Sequence, residues 1–378
     1  MQYLAINTDA DATTALTTAR MHPILFHIAL PAALPRLSLL LGLSVAFTVI
    51  GLAALVRARR MVLLALLTAC CALALLIMIR ANGSMAIELD VSSFGTSLFL
   101  SIAVGSWFLA RLTIGNGMAR PEVLRWLGLS LIGGILGARA GYVLINSNGW
   151  SFWRDILDFS QGGLFGYGAY FGGLLGAAVA SRGDFNSFRK WVDLSTPAVL
   201  ISTGLTRLGC YLQGCDYGHP LGPKAPAFVA ALGTFPRWTS VFEHTFRGSP
   251  AWLNHVSTLG LSPDATASLP VHPTQLYESA FALLAALLAW VLLRSGLVHG
   301  MTFLSAVLVY GAGRFVLEFL RGDPERGLVS ISHAHQAKTL GSWSQIAALA
   351  SILVVALAWP KWRRGEKTLG QPGSSVRR

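Results

Sequence analysis

Three arginines stand inside or at the edge of apolar runs: Arg139 in "LIGGILGARAGYVLIN", Arg207 in "TGLTRLGCYLQGCDYGHP" and Arg314 in "VYGAGRFVLEFLRGDPERG". An arginine at the centre of a bilayer disfavours insertion by about 2.5–3.5 kcal/mol, so each needs a compensating role. One role is to bind an anion; the competing one is to snorkel, with the guanidinium reaching the headgroups. Guanidinium suits phosphate, because its planar fork offers two parallel N–H donors. In the third run Tyr310, Arg314, Glu318 and Arg321 recur at spacings of four, four and three, which is one helical face. Pairing Glu318 with Arg314 would make that face a buried ion pair and leave Arg321 as an unbalanced cation. That surplus favours a bound anion, and an outer-leaflet phospholipid headgroup is the phosphate at hand.

A fourth cluster lies in "VHPTQLYES", residues 271–279, where His272, Gln275, Tyr277 and Glu278 precede the apolar run "AFALLAALLAWVLL". Pro273 and Thr274 fit a helix start, and His272 fits a cap. Gln275, Tyr277 and Glu278 exceed what capping requires, and Tyr277 is expected to face the same site as Arg207 and Arg314. Beside Arg207, the glycines Gly209, Gly214 and Gly218 permit a tight backbone path next to a ligand, with Gln213 and Asp216 as polar groups at the membrane edge. A helix end that uses glycine to turn is the alternative there. Gly133, Gly137 and Gly141, and likewise Gly168, Gly172 and Gly176, recur every fourth residue, a spacing that lets helix backbones approach closely.

These groups need a scaffold, and composition says which kind. Only 12% of the 378 residues are charged and 53% are hydrophobic, whereas a soluble domain carries about 25% charged residues. Mean hydropathy is +0.57. A span needs about 20 apolar residues, and such runs fall near 37–57, 61–79, 94–113, 123–145, 163–181, 193–211, 275–294, 299–319 and 343–359. The expected fold is therefore all-α, a polytopic transmembrane bundle of about nine helices.

The net charge of +12 is distributed as an orientation signal rather than a nucleic-acid surface. Basic residues gather in alternate connections: Arg57, Arg59 and Arg60; Arg111, Arg120 and Arg125; Arg182, Arg189 and Lys190; Arg294; and the tail. The positive-inside rule makes those connections cytoplasmic, with the N-terminus outside and the C-terminus inside. The divisions expected are an external segment 1–36, two leading helices within 37–90, a membrane domain 91–360 and a basic cytoplasmic tail 361–378. Met21 is a second candidate start. Residues 212–274, between the sixth and seventh spans, form an external region whose Phe228, Phe235, Trp238, Phe242, Phe246 and Trp252 point to a small folded cap. No metal site is expected: Cys210 and Cys215 lack paired-ligand spacing, Cys70 and Cys71 lie in an apolar run, and "HAH" at 333–335 reads as a loop.

The run "HPTQLYE" resembles the segment that opens a late helix in prolipoprotein diacylglyceryl transferases. "GARAGYVL", "TRLGCYLQGCDYG" and "YGAGRFVLEFLRGDP" follow that family in the same order, over roughly residues 90–360, with the two leading spans as an addition. The resemblance implies a multi-pass protein of the bacterial cytoplasmic (inner) membrane with its active site on the periplasmic face. It implies transfer of the diacylglyceryl group of phosphatidylglycerol to the lipobox cysteine of a preprolipoprotein signal peptide, with glycerol phosphate leaving and no cofactor or metal.

It carries the phosphatidylglycerol contact onto Arg207 and essential roles onto Arg314 and Tyr277. Tyr167 joins the catalytic candidates because it stands where many members have histidine. Substrate-binding candidates are Arg207, Arg139, Tyr142, Gln213, Gly214, His272, Gln275, Glu318 and Arg321. Thr206, Cys210, Gln213 and Cys215 also depart from the family pattern, and a disulfide between Cys210 and Cys215 is compatible with an oxidising outer face.

Two other readings stand beside this one. A divergent paralogue could move a lipid group to another acceptor, or bind lipid without catalysis. An anion transporter would need internal symmetry and a polar path to the cytoplasmic side, and the sequence carries neither.

Overall fold

The computed structural model describes residues 24–30, 87–146, 155–156, 163–237, 248–297, 299–323, 328–333 and 336–364. Two strands come first, β1 (Ile24–Leu30) and β2 (Ile87–Ser92), followed by helices α1 (Ser93–Gly115), α2 (Arg120–Asn146), α3 (Gly166–Ser181) and α4 (Phe185–Gln213). Two short helices, α5 (Ala227–Leu232) and α6 (Pro250–Thr258), lead to α7 (Thr274–Arg294). Then come α8 (Met301–Leu317), a 3-10 turn (Glu318–Leu320), β3 (Leu328–His333), β4 (Gln336–Ser342) and α9 (Trp343–Arg364).

Each expected span from residue 94 onward meets a helix; the expected spans 37–57 and 61–79 lie outside the described residues. Among the described residues, five helices are long and apolar enough to cross a membrane. They leave Leu284, Leu287, Val316, Leu353 and Leu357 more than half exposed, as suits a hydrocarbon solvent rather than water. The chain is thus a mostly helical, polytopic membrane protein. The all-α expectation needs one correction: β1 pairs antiparallel with β2, and β3 with β4. β1, ILFHIAL, lies within the expected external segment 1–36, and its β-branched and aromatic residues suit a pleated pair.

The middle of the bundle is α4, 29 residues long and started by Asp184, whose side chain accepts from the amides of Asn186 at 3.0 Å and Ser187 at 3.3 Å. Small polar residues stitch it to both neighbours. Ser202 donates to the Ser101 carbonyl of α1 at 2.8 Å, and the Ser101 and Thr206 hydroxyls meet at 2.8 Å. On the other side Ser279 of α7 donates to the Gly204 carbonyl at 2.9 Å. Asp193 of α4, buried, accepts from the Phe303 amide at 2.8 Å and from Gly300, so one helix caps the start of α8 in trans.

Helices α2 and α3 meet backbone to backbone. A methyl on Gly133 would fall 3.1 Å from the Gly172 carbonyl carbon and nearer still to its oxygen, and Gly137 meets Gly168 and Gly172 in the same way. The fourfold glycine spacing therefore serves close packing. Outside the bundle, Tyr217, Phe235, Ala251 and Val271 form the small core of the region after α4, with Trp252 only 5% exposed. Of the aromatics expected to build this cap, Phe235 and Trp252 are inside, Phe228 is exposed, and Trp238, Phe242 and Phe246 lie outside the described residues.

Candidate functional site

Ends of three elements converge. The last turns of α4 bring Arg207, the start of α7 brings Glu278, and α8 with its 3-10 turn brings Tyr310, Arg314, Glu318 and Arg321. Helix α4 stops at Gly214, which takes φ 72°, and the Cys215 amide bonds back to the Cys210 carbonyl at 3.1 Å. This is the αL termination that glycine favours. It turns the chain so that Asp216, itself at φ 56°, faces the arginines.

The arginines are bridged by carboxylates. Arg207 Nε lies 3.0 Å from Glu278 Oε2 and Arg314 Nε 3.5 Å from Glu278 Oε1, while Tyr310 donates its hydroxyl to Glu278 Oε1 at 2.9 Å. Arg314 also pairs with Glu318. Asp216 spans Arg207 through one oxygen and Arg321 through the other, the latter at 2.6 Å. Arg321 closes the network with a two-pronged grip on Asp323 at 2.8 and 2.6 Å. Burial alone would raise the Asp216 carboxyl, but the guanidiniums of Arg321 and Arg207 outweigh it and hold it well below the usual carboxylate range.

Arg321 is therefore not the unbalanced cation that the spacing implied. Four carboxylates, Asp216, Glu278, Glu318 and Asp323, face three guanidiniums. Buried arginines demand counter-ions, and two of these came from turns whose direction no helical spacing reveals. The opening is at Arg207 and Asp216, whose side chains are 20% and 27% exposed, against 4% for Arg314 and 2% for Glu318. Among the described residues, Arg207 Nη2 has no protein partner.

The other candidates divide between this cluster and its surroundings. Tyr167, in the first turn of α3, has a buried hydroxyl without a hydrogen-bond partner among the described residues, within electrostatic reach of Arg314, Glu278 and Glu318. Its ring meets Tyr170 edge-on at 6.1 Å, and Tyr170 bonds to Thr203 at 2.9 Å. Arg139, 2% exposed, is used elsewhere: it donates to the Asp155 carbonyl at 3.1 and 2.7 Å and to Gly163 at 3.2 Å, with Tyr142 5.5 Å away under its guanidinium. That accounts for Arg139 as a tie between α2 and the approach to α3.

The start of α7 is largely a clamp on the Cys215–Gly218 turn. Thr274 donates to the Asp216 carbonyl at 2.6 Å, Gln275 donates to the Cys215 carbonyl, and the His272 carbonyl accepts from Gly218 at 2.9 Å. Pro273, not His272, occupies the cap position, with no side-chain cap bond, so the capping role expected of His272 is corrected. A pyrrolidine ring already sets the entry angle there. Tyr277 lies one position before Glu278 and so points elsewhere around the helix. It meets the His272 ring at 6.2 Å, and both line a cavity of about 470 Å³ with Leu221, Pro223, Lys224 and Val229. Gln213, at the end of α4, has a buried Oε1 without a hydrogen-bond partner among the described residues.

Glu278, Tyr310 and Asp216, which the sequence offers as polar groups without an assigned role, belong to the network, and Asp323 joins them unannounced by any spacing. The available signal was the need of three arginines in apolar surroundings for nearby acids.

The prolipoprotein diacylglyceryl transferase family model matches residues 83–359. The phosphatidylglycerol–prolipoprotein diacylglyceryl transferase of Clostridium tetani is 30% identical over 249 residues, 66% of this chain and 87% of its own. The second such enzyme of Clostridium perfringens is 26% identical, covering 66% and 85%, and that of Symbiobacterium thermophilum 26%, covering 72% and 89%.

Proposed function

The chain belongs to the prolipoprotein diacylglyceryl transferase family, and on that premise we propose that it moves the diacylglyceryl group of phosphatidylglycerol to a prolipoprotein cysteine thiol. The thiol gives up its proton, its sulfur attacks a glyceryl CH2, the C–O bond to the phosphate breaks, and glycerol phosphate leaves with the bonding electrons and takes up the proton. Negative charge grows on the departing phosphate, so fixed guanidiniums beside it lower the barrier.

One observation carries this assignment: Arg207, its side chain 20% exposed at the edge of an otherwise buried ionic network, has no partner at Nη2 among the described residues. We assign the phosphate to Arg207, with Arg314 behind it. Asp216, the most exposed carboxylate of the network, is the group that yields as the headgroup enters. Glu318 and Arg321 hold the clamp from behind. Tyr167 supplies the unpartnered hydroxyl nearest in kind to a proton carrier. Tyr277 and His272 belong to the adjoining cavity, which suits the acceptor signal peptide or a lipid chain. Gln213, Gly214 and Gln275 shape the turn between them, and Arg139 with Tyr142 supports the neighbouring wall.

The full topology proposed is about nine spans, N-terminus outside, C-terminus inside, with the arginine cluster on the outer, periplasmic face of the bacterial inner membrane. The positions of the basic connections support it. Lys190 donates to the Asn116 carbonyl at 3.2 Å and Arg189 to Trp362 at 2.8 Å, so three basic connections share one end of the bundle. Arg207 and Asp216 stand at the other end of α4.

Purified protein mixed with phosphatidylglycerol and a lipobox peptide should release glycerol phosphate. Arg207→Ala and Arg314→Ala should each abolish release from the fraction of protein that remains folded. Release at the normal rate from both variants would defeat the phosphate assignment.

A further inference from the structure

Cys210 and Cys215 are both free thiols, and their sulfurs and an Asp216 carboxylate oxygen all lie within 4.8 Å of one another. Their positions are set by the end of α4. Cys210 supplies the carbonyl and Cys215 the amide of the outer bond of the Gly214 termination, two sites whose side chains commonly touch. The Cys215 thiol already donates to the Cys210 carbonyl at 3.6 Å, and Arg207 Nη1 lies 3.9 Å from Cys210 Sγ.

A pair of small apolar side chains would satisfy packing alone. Two thiols that close together can do more, because a disulfide needs its Cβ atoms only about 3.5–4.5 Å apart and its Cα atoms about 4.4–6.8 Å apart. A divalent metal is disfavoured at the same place. Both Asp216 oxygens are engaged by Arg207 and Arg321, and a cation would enter beside those guanidiniums.

We propose that Cys210 and Cys215 form a disulfide across the last turn of α4, which pins Asp216 between Arg207 and Arg321 and makes transfer sensitive to redox state. In the exchange, one cysteine thiolate attacks a disulfide oxidant R–S–S–R and expels one RS⁻. The second thiolate then attacks the mixed disulfide and expels the other. Two cysteine thiols are oxidised and the oxidant is reduced to two RSH, so atoms and electrons balance. The bond spans the segment that sets the backbone of Asp216, a residue already in the left-handed region at φ 56° and held there by its ion pairs and by Thr274. The effect on turnover rests on the transfer reading above; the bond itself does not.

The test uses the full chain in detergent with phosphatidylglycerol. One sample is treated with oxidised glutathione and another with a phosphine reductant, and both are desalted before the acceptor peptide is added. Peptide mapping without reduction should reveal a 210–215 link in the first sample only, with loss of two maleimide-reactive thiols. Because Asp216 must yield to the headgroup at Arg207, the oxidised sample should release glycerol phosphate several-fold more slowly, and reduction should restore the rate. Cys210→Ser/Cys215→Ser should show no redox response at whatever rate it retains. Failure of the link to form overturns the proposal, as does a formed link with equal rates in both states. A link that forms while neither sample releases glycerol phosphate overturns the transfer reading and the redox control built on it, and leaves only the bond.

Discussion

Arg207 and Glu278 meet at 3.0 Å although 71 positions separate them in the chain, and the second oxygen of the same carboxylate holds Arg314 at 3.5 Å. One acidic side chain from the start of α7 therefore sets the relative position of two guanidiniums carried by different helices. Tyr310 fixes the carboxylate in turn, donating its hydroxyl at 2.9 Å.

Glu278→Gln should therefore damage both the fold and the reaction. Removing one member of a buried ion pair costs about 3–5 kcal/mol, because the partner charge is left uncompensated. Denaturant unfolding in detergent should register a loss of that size, with glycerol phosphate release falling to background. Glu278→Asp should recover part of the stability. Unchanged unfolding in Glu278→Gln would mean that the arginines do not depend on this carboxylate.

Gly133 and Gly134 are neighbours with opposite tolerance. A methyl at Gly133 collides with the α3 backbone at Gly172, whereas one at Gly134 meets only the Ala169 carbonyl oxygen at 3.4 Å. Gly133→Ala should cost about 1–3 kcal/mol, as overpacking does, while Gly134→Ala should be close to neutral. Thermal unfolding of the two variants side by side decides it, and equal midpoints would contradict the backbone-to-backbone packing of α2 on α3.

His255, in α6, is buried and accepts the Leu269 amide on Nδ1 at 3.1 Å. Burial pushes its pKa below the ordinary value of about 6.5. The sign follows: the unfolded form binds the proton more readily, so the stabilisation is present above about pH 6.5 and is lost as pH falls through the lower folded value. Protection factors at residues 250–258 and 265–271, corrected for the intrinsic pH dependence of amide exchange, should therefore fall between pH 7.5 and pH 5, and His255→Gln should flatten that dependence. A pH profile identical in the two proteins would remove His255 as its origin.

Asp193→Ala should cost about 1–2 kcal/mol by exposing the first amides of α8 without a cap. The same change should reduce turnover more than binding of phosphatidylglycerol, since α8 carries Arg314 at its far end. Turnover that follows stability alone, or no change in either, would make the cap irrelevant to the site.

The helices were legible because hydrocarbon-facing segments are long and apolar, and each span expected from residue 94 onward matches one. The strands were not, since segments of six or seven residues carry little periodic signal beside spans of twenty. Arg207, Arg314, Glu318 and Arg321 were legible as charges in apolar surroundings, and Tyr167 through its departure from the family pattern. Asp216 was noticed only as an edge residue. Its role depends on the left-handed turn at Gly214 and on its own φ of 56°, neither of which spacing encodes. Tyr277 and Glu278 illustrate the same limit: adjacent in sequence, they face different surroundings, and only the helix register tells them apart.

The ionic network also has an order of arrival. Arg207 enters the membrane with Asp216 nine residues behind it, but Glu278 follows much later, and Arg314, Glu318 and Arg321 later again. A nascent chain that has been synthesised only as far as the cap region holds Arg207 with half of its eventual counter-ions. The centre is completed only when α8 inserts beside α4 and α7, so during synthesis the reactive geometry cannot precede the nearly finished bundle.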